Sequence, residues 1–261
     1  MKLVFVVVLL TIIGCSSPEK KGNESMAGVY KMMSQRMKGE TTDTTYTSRQ
    51  QLKIFTTDFM MYANITPPDS AGSFGFGSYD YIKDTVSEYI IYTASDSTSS
   101  LDPLTFKLFI KKTDKGYIQI IPNIMLEGTM YELTEEYESV GNSSKSALDG
   151  SWKKVKRLEI NGTDTIDHKG DVQFKTYYAG HVIWGDNWTD TLNKNHTAIG
   201  FGKFEMTGNK VKESMMESTY AAVRGHDFDI EIEIMGADEF KQIITNADGS
   251  KSVEFYKRLK K

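Results

Sequence analysis

Gly150-Ser151-Trp152 opens a stretch that repeats, segment by segment, the one opened by Gly28-Val29-Tyr30. Behind the first triplet come Gln173-Phe174-Lys175-Thr176-Tyr177 and Val182-Ile183-Trp184, and behind the second come Gln51-Leu52-Lys53-Ile54-Phe55 and Met60-Met61-Tyr62. Each pair is 122 residues apart (28 to 150, 51 to 173, 62 to 184). A constant offset sustained over several segments marks a tandem duplication, and a duplication constrains the architecture before any single segment is read. A chain of 261 residues accommodates two units of roughly 110 residues, each able to bury its own core.

Working outward, the segments are short, rich in β-branched and aromatic residues, and punctuated by turn clusters such as Asp114-Lys115-Gly116 and Asn246-Ala247-Asp248-Gly249-Ser250. This is the punctuation of an all-β fold. Phe106, Leu108 and Ile110 alternate with period two, as do Phe228, Ile230 and Ile232, which predicts strands with one buried face. In the second copy the intervening residues are Asp229, Glu231 and Glu233, so that face meets solvent. Tyr131-Glu132-Leu133 is aligned with Val253-Glu254-Phe255, again at 122. These limits give a first unit over 26–140, a polar Ser/Gly/Asn-rich linker over 141–148 and a second unit over 149–261.

The N-terminus carries a different message. Lys2 precedes an apolar run from Leu3 to Ile13, too short to span a bilayer as a mature helix but ordered like an export signal. Ile12-Ile13-Gly14-Cys15 resembles the lipobox of bacterial lipoproteins, which implies cleavage after residue 14 and a lipid on Cys15. Cys15 is the single cysteine, so an exported chain has no intramolecular disulfide, and no stray thiol once that sulfur carries lipid. Residues 15–25 then read as a polar tether. By analogy with that class, Ser16 after the cysteine permits transfer to the outer membrane, and the expected location is the cell envelope. The composition is that of a globular protein, and a net charge of −4 with a pI near 5.7 argues against nucleic acid as a partner.

The Gly-x-Trp opening, the Gln-x-Lys-x-aromatic strand and a following aromatic strand are joined by two further signals. One is a glycine-rich strand (Gly75-Phe76-Gly77, Gly200-Phe201-Gly202) and the other an acidic strand (Val86-Ser87-Glu88, Val211-Lys212-Glu213). Together they resemble a lipocalin-like family of bacterial envelope lipoproteins. The resemblance implies two tandem lipocalin-like antiparallel β-barrels of about eight strands each, whose interiors are filled by side chains or hold one small ligand. It also implies a barrel-closing pair, Trp152 under Arg258; the first copy departs from it, with Tyr30 for the tryptophan and Glu136 aligned with Arg258.

Glu88 and Glu213 occupy matched positions and are candidate ligand-binding or pKa-perturbed groups if they face inward, or plain surface carboxylates if they face out. Tyr62, Trp184, Phe76 and Phe201 are candidate ligand walls, with ordinary core as the alternative, and Trp188 is a candidate binding residue on a polar, aromatic rim of the second barrel that it would form with Asn195-His196. The paired methionines Met32-Met33, Met60-Met61 and Met215-Met216 would each send one side chain inward. His168, His181, His196 and His226 are scattered singly, no metal or other cofactor is expected, and no nucleophile elbow or phosphate loop occurs. The expected function is a non-enzymatic, membrane-anchored envelope lipoprotein binding a small apolar or amphipathic ligand. The alternative is a structural lipoprotein with filled barrels that engages another envelope protein or glycan.

Overall fold

The computed structural model describes residues 25–66, 71–93, 104–126, 128–170, 172–190 and 192–261. The export signal, Cys15 and all but the last residue of the tether lie outside the described residues. The first copy forms β1 (Gly28–Lys38), β2 (Asp43–Tyr46), β3 (Gln50–Phe55), β4 (Phe59–Thr66), β5 (Ala71–Ile82), β6 (Thr85–Thr93), β7 (Leu104–Lys112), β8 (Gly116–Leu126) and β9 (Thr129–Ser139). The second forms β10 (Gly150–Asn161), β11 (Asp164–His168), β12 (Val172–Tyr178), β13 (His181–Thr189), β14 (Asn195–Thr207), β15 (Lys210–Ser218), β16 (Asp227–Ile234), β17 (Glu239–Thr245) and β18 (Lys251–Arg258).

Successive strands pair antiparallel in an up-and-down order, and β1 also pairs with β9 as β10 does with β18. Each sheet therefore closes on itself. The wall has eight strands, because β2 continues the place of β3 along the far half of β1, and β11 does the same along β10. No helix occurs among the described residues. The all-β, two-barrel expectation is met, and closure removes the sheet edges that would otherwise offer unpaired backbone groups.

The alternation of side chains is clear, but on three strands of the first barrel it is inverted relative to a simple core. Gln51, Lys53, Tyr62 and Asn64 line the interior, whereas Leu52, Ile54, Met61, Ala63, Ile65, Phe74 and Phe76 point outward and are still buried. They are covered by the second barrel. β4 faces β13, β5 faces β14 and β3 faces β12, so the two copies dock through equivalent walls. Phe174 stacks on Phe76 with ring centroids 4.4 Å apart and leans on Tyr92 at 4.9 Å. The shared cluster includes Ile183, Ile199 and Phe201. Tyr92 Oη donates to the Val172 carbonyl at 3.2 Å, and Asn187 Nδ2 donates to the Thr93 carbonyl at 3.0 Å. The segment between the barrels is held by its backbone: Val140 N donates to Val29 O at 2.9 Å and Asn142 N to Ala179 O at 3.1 Å.

The methionine pairs divide as the alternation predicts. Met32 and Met215 are buried inside their barrels while Met33 and Met216 are exposed. Met60 enters the first core; its neighbour Met61 goes to the inter-barrel cluster.

Candidate functional site

β6 settles the orientation that the sequence leaves open. Val86, Glu88 and Ile90 are buried, and Ile91 on the other face is 47% exposed, so Glu88 faces the interior. In β15, Val211, Glu213 and Met215 repeat this. A buried carboxylate needs a partner, and each finds it on the Gln-x-Lys strand. Lys53 Nζ lies 2.5 Å from Glu88 Oε1, and Lys175 Nζ lies 2.7 Å from Glu213 Oε1. Burial pushes the Glu88 carboxyl above its ordinary value and the Lys53 charge opposes it.

The pair belongs to a longer network. In the first barrel Lys53 Nζ also donates to Gln119 Oε1 at 3.1 Å, and Gln119 Nε2 donates to Glu135 Oε2 at 2.8 Å. Glu135 further accepts from Gln35 Nε2 at 2.6 Å and from the Tyr137 hydroxyl at 2.9 Å. That carboxylate sets the orientation of everything downstream. Because Tyr137 donates its hydrogen to Glu135, its oxygen accepts from Gln51 Nε2, at 2.5 Å; Gln51 Oε1 in turn accepts from Asn64 Nδ2 at 3.0 Å. The relay ends at Asn64 Oδ1, a buried acceptor without a hydrogen-bond partner among the described residues. Burial, with Glu88 and Glu135 adding to it, raises the Tyr62 phenol, and burial lifts Tyr117 and Tyr137 well above the usual phenol value. All three stay neutral.

Around this network the first barrel encloses a cavity of about 190 Å³. Its polar wall is Gln35, Gln51, Lys53, Asn64, Ser73, Glu88, Gln119 and Glu135, and its apolar wall includes Tyr62, Ile90, Phe106, Leu108, Ile121, Ile124 and Leu133.

The second barrel repeats the scaffold with different charges. Gln242 Nε2 donates to Glu254 Oε2 at 2.6 Å, and the Tyr256 hydroxyl reaches both Glu254 Oε2, at 2.7 Å, and Gln173 Oε1. Asp186 replaces Asn64. Since a carboxylate only accepts, Gln173 is turned over, and its Nε2 donates to Asp186 Oδ2 at 3.3 Å. Lys154, at the position of Met32, pairs with Asp186 at 3.2 Å. Arg157, at the position of Gln35, stands across the strands from Glu254 as Gln35 does from Glu135.

Structures of similar outline are known, but their likeness is distant. A lipocalin-like protein from Bacteroides uniformis superposes with a TM-score of 0.29 and 13% identity, covering 44% of this chain and 100% of its own. A protein of unknown function from the DUF3598 family of Nostoc punctiforme gives a TM-score of 0.26 and 11% identity over 89% of this chain and 96% of its own. No family profile and no curated relative matches the sequence.

Of the residues singled out from sequence, Glu88, Tyr62 and Glu213 lie in the barrel interiors, the first two on the cavity wall. Trp184 packs against the second core from the same face. Trp188 stacks on His196 at 5.3 Å and leans toward Tyr220, forming an aromatic rim to the second barrel. Arg258 lies 4.0 Å from the Trp152 ring centroid and donates to the carbonyls of Asp149, at 2.5 Å, and Ala147, at 2.9 Å. The barrel-closing pair is therefore present.

Two expectations are corrected. Phe76 and Phe201 are not ligand walls: position 75 opposes Tyr62 on the inner face, so position 76 points outward, and both phenylalanines are buried in the inter-barrel cluster. Glu136 is not the counterpart of Arg258. Tyr137 and Tyr256, 119 residues apart, pair with Met32 and Lys154, so the residue opposite Tyr30 is Ser139. The first barrel end closes instead by Tyr30 packing edge-on to Tyr117 at 4.8 Å, with its hydroxyl donating to Met26 O at 3.2 Å. Glu135, Gln119 and Asn64 were missed from sequence. The signal was a Glu-x-Tyr in both last strands, hidden by the 122-residue alignment there.

Proposed function

We propose that this chain is a lipid-anchored envelope protein, without catalytic activity, whose first barrel carries a small amphipathic ligand and whose second barrel is its rigid support. The observation that carries the reading is the cavity of about 190 Å³ in the first barrel, lined both by buried polar groups and by Phe106, Ile121, Ile124 and Leu133. Small-molecule sites combine an apolar lining with convergent polar groups that fix the ligand's orientation; this cavity has both. The second barrel favours a supporting role, since its interior positions carry Lys154, Arg157 and Asp186 where the first has Met32, Gln35 and Asn64.

Native mass spectrometry of residues 22–261 purified from the host, beside the same sample denatured, tests the carrier reading. A reproducible extra mass lost on denaturation is the expected result. If no mass is carried while both barrels are folded, the reading fails and an interaction role, pursued by pull-down from the envelope, takes its place. Cys15→Ala should release the chain from membranes; continued fractionation with the envelope would remove the lipid anchor from the proposal.

A further inference from the structure

The two barrels are each other's control for charge. The second interior sets three cations, Lys154, Arg157 and Lys175, among three carboxylates, Asp186, Glu213 and Glu254. Among the described residues the first holds one cation, Lys53, with two carboxylates, Glu88 and Glu135, all three of them buried. Lys53 is committed to Glu88 at 2.5 Å. Among the described residues Glu135 is served by neutral donors: Gln35 on Oε1, and Gln119 and Tyr137 on Oε2. A carboxylate offers about four acceptor sites, so one remains, on Oε1. The position across the strands from the matching carboxylate is Arg157 in the second copy, opposite Glu254, and Gln35 in the first, opposite Glu135.

We propose that the cation missing from the first barrel comes from its ligand, a small amphiphile with a primary ammonium head set against Glu135 and a short carbon chain set against the apolar side of the cavity. The inference rests on the carrier reading above and names its ligand class. Glu135 lines the cavity, and the wall it shares ends in Asn64, nine-tenths buried, whose Oδ1 lacks a partner among the described residues. An incoming donor is therefore met by acceptors. A carboxylate head would instead face Glu88 and Glu135 at close range. Phe106, Ile121, Ile124 and Leu133 give the chain an apolar wall. Size limits the class further. The cavity of about 190 Å³ corresponds to roughly six waters of liquid volume, below the range of about 300–1,000 Å³ typical of drug-sized sites. The occupant is a short amine.

The test is calorimetric titration of the full chain with n-hexylamine, hexan-1-ol and hexanoate at neutral pH. Hexylamine should bind at least about tenfold more tightly than hexanol, as expected for a hydrogen bond between charged groups, and hexanoate should bind least. Gln35→Arg, which places at this position the residue of the second barrel, and Glu135→Gln, which removes the charge, should each weaken hexylamine at least about tenfold more than they weaken hexanol. Two variants are used so that misfolding of one leaves the other decisive. Hexanol or hexanoate binding as tightly as hexylamine, or hexylamine affinity unchanged in a folded variant, overturns the amine assignment and leaves the carrier reading standing. Failure of all three to bind overturns the amine assignment as well. The carrier reading falls with it only if the native protein also carries no mass.

Discussion

At the scale of single residues, the interior ion pairs dominate. Lys53 with Glu88 and Lys175 with Glu213 are each taken out of water, which costs several kcal/mol per ion before the partner offsets it. Lys53→Met alone should therefore destabilise the chain by about 3–5 kcal/mol, because Glu88 is left buried and unpaired. The double variant Lys53→Met/Glu88→Leu should recover most of that loss in a urea titration. A double variant as unstable as the single one would mean that the pair contributes packing rather than mutual charge compensation. His181 gives the pH dependence. Its imidazole is buried, and burial, helped by Lys203 across the strand, holds it below its ordinary value of 6.5 against a hydrogen bond to Ala179 O. The folded state then binds fewer protons than the unfolded one, so its contribution is present at higher pH and is lost as pH falls through about 6.5. Stability should drop more steeply between about pH 7.5 and about pH 5.5 in the wild type than in His181→Gln. Parallel profiles would show that other groups govern that window.

At the scale of the strand, the Gly-Phe-Gly stretches are the informative elements. Gly75 lies opposite Tyr62 and Gly200 opposite Trp184, and in both copies the aromatic ring covers the glycine where a Cβ would stand. Gly77 and Gly202 sit at β-bulges, where an added Cβ would run into the carbonyls of Tyr89 and Ser214. Since backbone, unlike a flexible side-chain tip, cannot yield, Gly77→Ala should cost about 1–3 kcal/mol in chemical denaturation. A variant as stable as the wild type would show that the bulge is not required. These strands also mark what the sequence could reveal. The duplication, the all-β class and the matched positions of Glu88 and Glu213 are legible because they depend on period and offset alone. Which face of Gln51-Leu52-Lys53-Ile54-Phe55 is inner is not legible, because alternation gives two faces without naming them. Here the polar face lines the barrel and the apolar face meets a second barrel. The near-unbroken apolar character of Met60-Met61-Tyr62-Ala63 was the available hint, since a strand buried on both faces reads that way. The cavity network stayed hidden for a related reason: Glu135 comes into register with Glu254 only when the last strand shifts to an offset of 119.

At the scale of the whole molecule, two barrels that each close their own hydrogen bonding still depend on one another for a dry outer wall. Leu52, Ile54, Met61, Phe74 and Phe76 would form an exposed apolar surface on an isolated first barrel, the kind of patch that drives association. Phe174 is the most direct contribution from the other side. It belongs to the outer face of β12, and its contacts with Phe76 and Tyr92 lie across the interface rather than within its own barrel. Truncating it should therefore weaken docking while leaving both closed sheets intact. Phe174→Ala is expected to cost about 3–5 kcal/mol, the range for removing a buried aromatic ring, with the loss falling on the inter-barrel term. Calorimetry should show a single cooperative transition for the wild type and two for Phe174→Ala, because once docking no longer outweighs the difference in barrel stabilities, each core melts on its own. Of the two cores, the one holding the cavity and the uncompensated Glu135 should melt first, and a ligand that binds it should raise that transition alone. A single transition, merely lowered, would mean that the barrels remain one cooperative unit and that the interface is stronger than the packing of Phe174 implies.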